Sequence, residues 1–126
     1  MIVLCVDRSP LGLMDLKQKV KAVKPDAVIY GCRDPETAIS IASNEGCDVL
    51  LTEIDLGGSK REGLDFAKKM QTINPEVNII FVTTFAEWEY ARDVVQMRVS
   101  GFIRKPYKQH QLVEEFAHLR YAVKRE

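Results

Sequence analysis

Two carboxylates, an amine and a hydroxyl in this sequence could together handle a phosphoryl group or a divalent cation. They are Asp7, Glu53, Lys105 and Thr83, and each directly follows a short apolar run (IVLCV, DVLLT, FIR and NIIFV respectively). Arg8, Asp55 and Thr84 accompany them, within two residues. Carboxylates bind cations or accept a phosphoryl group, while an ammonium and a hydroxyl stabilise charge developing on its oxygens. Such a set works only if four distant segments bring their ends to one place.

The intervening chain supplies that arrangement. Ile2–Val6 is apolar throughout, as expected of a strand covered on both faces. Ser9-Pro10 opens a helix whose stripe is Leu13, Leu16, Val20 and Val23, and Lys24-Pro25 ends it. A second strand is expected at 27–30. A second helix follows from Asp34-Pro35 to Gly46, with Ala38, Ile41 and Ala42 inward. Strand 3 is expected at 49–54, then the turn-rich stretch 55–63. Leu64, Ala67, Met70 and Ile73 mark the third helix, which Asn74-Pro75 terminates. Strand 4 at 78–82, a helix carrying Trp88, Ala91, Val94 and Val95, a brief strand at Phe102-Ile103 and a helix lined by Leu112, Phe116 and Leu119 complete the chain. Alternation of this kind predicts an α/β fold: a doubly wound, five-stranded parallel sheet with helices on both faces. In such sheets, function gathers beyond the carboxyl ends of the strands.

Composition narrows the function further. The 126 residues carry 18 basic and 18 acidic side chains, 46% hydrophobic and 29% charged, as expected of one globular domain. A zero net charge argues against direct nucleic-acid binding by this domain. No apolar run is long enough for a membrane span, and MIVLCVDRSP reads as a strand, not a signal peptide. Cys5, Cys32 and Cys47 lack metal-ligand spacing and read as reduced thiols of a cytoplasmic protein. Residues 34–65 carry eight acids against Lys60 and Arg61, and residues 98–126 are basic on balance.

The residues VDRS (6–9), DVLLTEIDLGG (48–58), IIFVTTF (79–85) and SGFIRKPY (100–107) resemble the receiver domain of bacterial two-component response regulators, a flavodoxin-like fold. The resemblance covers essentially the whole chain, with residues 1–120 as receiver and 121–126 as a tail or the start of a linker. It implies that Asp7 is a metal-site acid, Thr83 the hydroxyl that follows the phosphoryl group and Phe102 the switch aromatic. It also implies that Lys105 is the amine pairing with acceptor and phosphate, and that the Lys105–Pro106 bond is often cis. The SGFIRKP and LRYAVKRE stretches resemble receivers fused to DNA-binding output domains.

Two positions depart from the family's pattern. Glu53 stands where the phospho-accepting Asp belongs, and Arg8 where the second metal-binding acid belongs. A guanidinium 4 Å from a divalent ion repels it by about 8 kcal/mol at an effective dielectric near 20. Mg²⁺, which Asp7, Glu53 and Asp55 would otherwise hold, is therefore disfavoured, and Arg8 is expected to pair with Glu53 or Asp7 instead. The extra methylene of Glu53 displaces its carboxylate by about a bond length, enough to spoil in-line transfer.

The resulting expectation is a degenerate receiver, not an enzyme and needing no cofactor. It would pass a conformational or dimerisation signal to an output domain, DNA-binding if the resemblance extends that far. Helix 4, strand 5 and helix 5 offer a face for a homodimer, and phosphorylation by a sensor histidine kinase is weakened or absent. A first alternative is a working receiver phosphorylated on Glu53 or Asp55. A second is a small α/β enzyme or nucleotide binder, though no Gly-rich loop follows strand 1. Plainer readings stand beside these. Asp7 could cap helix 1 or pair with Lys105, Glu53–Lys105 could be a structural ion pair, Thr83 could satisfy backbone groups, and Phe102 could be core. The stretch 55–60 reads as a plain turn, and His110 and His118 as surface residues.

Overall fold

The computed structural model describes residues 1–58 and 61–123. Five parallel strands, β1 (Ile2–Val6), β2 (Val28–Cys32), β3 (Val49–Thr52), β4 (Asn78–Thr83) and β5 (Gly101–Arg104), lie in the order β2-β1-β3-β4-β5. Helices α1 (Pro10–Val23), α2 (Pro35–Glu45), α3 (Glu62–Ile73), α4 (Ala91–Met97) and α5 (Gln109–Ala117) connect or follow them.

Alternation along the strands divides the core between the two faces. Leu4, Val6, Leu50, Ile79 and Phe81 pack against Ala38 and Ala42 of α2, Leu64, Ala67 and Met70 of α3, and Met97 of α4. Val3, Cys5, Leu51, Ile80, Val82 and Ile103 pack against Leu16 and Val20 of α1 and Leu112 and Phe116 of α5. With both faces covered, β1 after its first residue, β3 and β4 are buried throughout, and each fully buried Leu or Ile contributes about 1.5–3 kcal/mol.

Helix starts follow the expected chemistry. The Ser9 hydroxyl accepts from the Gly12 amide at 3.2 Å, and the Asp34 carboxylate accepts from the Thr37 amide at 2.9 Å. Elsewhere the boundaries move. β2 runs from Val28 to Cys32, later than expected, because its register with β1 continues through Val6↔Cys32. β3 ends at Thr52, two residues early, as the chain turns at Glu53. The fourth helix begins as a 3₁₀ turn, Glu87–Tyr90, and turns Trp88 (79% exposed) and Val95 (74%) outward, leaving Met97 as its buried residue. Ile73 closes α3 on the exposed side, and Leu119 lies beyond the end of α5, packed on the core. Gly57, with φ +97°, makes the turn after β3, and Ser59 and Lys60 of that stretch lie outside the described residues. So do residues 124–126 of the expected tail, but Arg120 and Tyr121 are hydrogen-bonded to the body.

Candidate functional site: a lysine between two buried carboxylates

Sheet order reverses at β1, whose chain neighbour β2 lies on one side and β3 on the other. The crevice above β1 and β3 is where this topology places a site. Asp7 leaves β1 there at 3% exposure and Glu53 leaves β3 at 6%. The Asp7 amide still donates to the Cys32 carbonyl at 3.2 Å, and the Glu53 amide to the Val6 carbonyl at 3.0 Å, so the ladder itself fixes both acids.

Lys105 bridges them from the end of β5. Its Nζ lies 2.6 Å from Asp7 Oδ2 and 3.3 Å from Glu53 Oε1. Its backbone amide donates to the Thr83 carbonyl at 2.7 Å, and the Lys105–Pro106 bond is cis. Burial acts to lower the ammonium's pKa, but the hydrogen bond to Asp7 and the charge of Glu53 outweigh it and hold the group above its usual value. The remaining carboxylate oxygens are also engaged. Asp7 Oδ1 accepts from the Ser9 amide at 2.9 Å, and Glu53 Oε2 curls back onto the amides of Ile54 (2.7 Å) and Asp55 (3.3 Å). Asp7 is thus both the turn partner at the start of α1 and the partner of Lys105.

Arg8 does not take the place expected of it. Its guanidinium pairs with Asp55 at 3.4 Å, with side-chain exposures of 56% and 43%, and not with Asp7 or Glu53. The reason is reach: Asp7 and Glu53 are already satisfied within the crevice, while Asp55 stands at its rim beside Gly57, whose amide it also accepts at 3.1 Å. The Arg33 Nε donates to the Arg8 carbonyl at 3.0 Å and steadies this rim.

Thr83 ends β4 beside the Lys105 backbone, and Phe102 lies within β5 opposite Phe81. Thr83 is fully buried and its Oγ1 accepts from the Phe85 amide at 3.3 Å. Phe102 is half-buried against Phe81, with ring centroids 6.2 Å apart. Thr84 is exposed, as are His110 and His118. Among the described residues, no group of three or more His, Cys, Asp or Glu side chains is arranged to hold a metal ion.

Two glycines that sequence reasoning passed over shape this crevice. A Cβ on Gly12 would stand 2.6 Å from Asp7 Oδ2, and one on Gly63 would run into the Ile54 backbone. The available signal was a glycine early in each of two helices, where Ala is preferred by about 1 kcal/mol.

Comparison with known proteins bears on the fold and the family. The uncharacterized transcriptional regulatory protein YesN of Bacillus subtilis is 26% identical over 78 residues, which are 62% of this chain and 21% of that protein. The Fimbriae Z protein of Escherichia coli K12 is 23% identical over 103 residues, 82% of this chain and 48% of that one. The chain therefore spans half or less of the length of these relatives. The chemotaxis protein CheY4 of Vibrio cholerae superposes with a TM-score of 0.80 at 18% identity, over 94% of this chain and 97% of that one. Residues 3–117 match the response regulator receiver domain, and the chain belongs to that family.

Proposed function

We propose that this receiver signals without a phosphoryl group, because Glu53 stands in the acceptor position and Arg8 in that of a metal-binding acid. The observation that carries this reading is Glu53 in the acceptor position, its Oε2 turned onto the amides of Ile54 and Asp55, with Arg8 in the position of a metal-binding acid. In-line phosphoryl transfer is sensitive to misplacement of about 1 Å, and the extra methylene of Glu53 displaces its carboxylate by that order. Here one Glu53 oxygen faces an ammonium and the other faces two amides. The same donors are poorly suited to Mg²⁺, since Asp7 and Glu53 share one cation and Asp55 holds a second, Arg8.

The signal then lies in conformation or assembly. Trp88 and Val95 on the 3₁₀–α4 segment and Val113 on α5 leave apolar side chains exposed beside mixed charge, which suits a self-complementary homodimer. The transcriptional regulatory name of the Bacillus relative, and the partial coverage of both relatives, support an output domain in a longer protein, DNA-binding in kind. Within that protein the domain acts as a signalling module and not as an enzyme, and no described helix is long and apolar enough to cross a membrane. Three buried free thiols suit a reducing, cytoplasmic setting.

Incubation with phosphoramidate and Mg²⁺, read by intact mass, tests the proposal. The unsubstituted chain is expected to gain no phosphoryl mass, and Arg8→Asp/Glu53→Asp to gain one at residue 53. A phosphoryl group on Glu53 or Asp55 of the unsubstituted chain overturns the proposal in favour of a working receiver.

A further inference from the structure

The strands that carry Thr83 and Lys105 at one end carry a second polar cluster at the other. Asn78 opens β4 and Ser100 immediately precedes β5, so both stand at the amino ends of those strands. Asn78 is 1% exposed. Its Nδ2 donates to the Tyr121 carbonyl at 2.9 Å and its Oδ1 accepts from the Tyr121 amide at 2.8 Å. The Ser100 hydroxyl donates to the same Oδ1 at 2.7 Å and accepts from the Arg120 amide at 3.2 Å.

Burying a carboxamide at a strand start costs free energy that a β-branched apolar residue would avoid, unless its polar atoms are satisfied. Here they are satisfied by a backbone 43 residues away, paired through both its N–H and its C=O as a neighbouring strand would pair it. Tyr121 lies beyond α5, where helical hydrogen bonding has ended and nothing in the local sequence fixes the chain.

We infer that Asn78 and Ser100 form a clasp that makes Arg120 and Tyr121 part of the receiver body and sets the direction in which the chain leaves it. The clasp joins that exit to β4 and β5, the two strands whose far ends carry Thr83 and Lys105. The clasp is independent of whether the pocket takes a phosphoryl group.

Limited trypsin digestion of the chain, with cleavage after Arg120 followed by mass spectrometry, tests it alongside amide hydrogen exchange. A protease needs the scissile peptide released from the body, so cleavage follows local opening. Each hydrogen bond to Arg120 or Tyr121 removed is expected to raise opening about fivefold, one for Ser100 and two for Asn78. Ser100→Ala should therefore be cut about five times faster after Arg120 and Asn78→Ala at least tenfold faster. The urea midpoint of Ser100→Ala shows whether the effect is local. In the unsubstituted chain the Tyr121 amide should exchange at least tenfold more slowly than in a free peptide. A Tyr121 amide exchanging at the peptide rate overturns the clasp. So does a folded Ser100→Ala protein cut at the unsubstituted rate, which decides the matter even if Asn78→Ala fails to fold.

Discussion

Replacing Lys105 by Met removes the ammonium that faces two buried carboxylates and keeps most of the side chain's bulk. At an effective dielectric of about 20, its attractions at 2.6 Å and 3.3 Å amount to about 6 and 5 kcal/mol before desolvation is counted. Taking three charges out of water offsets much of that. Removing one partner of a buried pair typically costs about 3–5 kcal/mol, because the charge left behind has lost its compensation. Lys105 keeps 22% side-chain exposure, which places the expected loss at about 3 kcal/mol. In an Asp7→Asn/Glu53→Gln background no charge is stranded, and Lys105→Met should cost under about 1 kcal/mol. Urea denaturation of the four proteins at pH 7 reads both differences. The sign of the pH dependence is also set. A folded-state pKa raised above the unfolded value of about 10.4 means the contribution is complete below that pH and is lost as pH rises through the folded value. The gap between Lys105 and Met proteins should therefore narrow above pH 10.4. Equal costs in the two backgrounds would refute the bridge as an electrostatic element.

Other perturbations separate the rim from the core. Arg8→Ala breaks only an exposed pair at 3.4 Å and should shift stability by less than about 0.5 kcal/mol, so a loss above about 1.5 kcal/mol would show that Arg8 reaches the crevice. Gly63→Ala should cost at least about 2 kcal/mol by urea denaturation, since its Cβ meets Ile54 backbone that cannot move without displacing the loop after β3, and a neutral result would contradict that close approach. Burial pushes the Cys5 and Cys47 thiols up to about 12 from 9.0. Their contribution is complete up to about pH 8 and is lost as the unfolded chain ionises, by about 3 kcal/mol in sum between pH 8 and 10. A Cys5→Ala/Cys47→Ala protein should lose that slope, and an unchanged slope would place the alkaline sensitivity elsewhere.

Much of the fold was legible because apolar runs and helix starts carry local chemistry. Ser9-Pro10 and Asp34-Pro35 mark helix starts by local capping, and a short, continuous, β-branched run such as Ile2–Val6 suits a strand covered on both faces. Asp7, Glu53 and Lys105 converge as strand ends in this topology must. What was not legible depends on competition in three dimensions. Arg8 chose Asp55 because the acids nearer the crevice were already satisfied. Trp88 and Val95 are apolar, yet the 3₁₀ start of their segment turns them outward. Asn78, Ser100 and Tyr121 show no periodicity, and only the folded chain brings them together.

An amide NMR titration with Mg²⁺ followed by beryllofluoride, which stands in for a carboxylate-bound phosphoryl group, tests the central claim most directly. With Arg8 and Glu53 in the site, no saturable shifts are expected at Asp7, Glu53, Thr83 or Lys105 in the unsubstituted chain at millimolar Mg²⁺, and they should appear in Arg8→Asp/Glu53→Asp. Saturable shifts at those four residues in the unsubstituted chain would contradict it and establish a working phosphorylation switch.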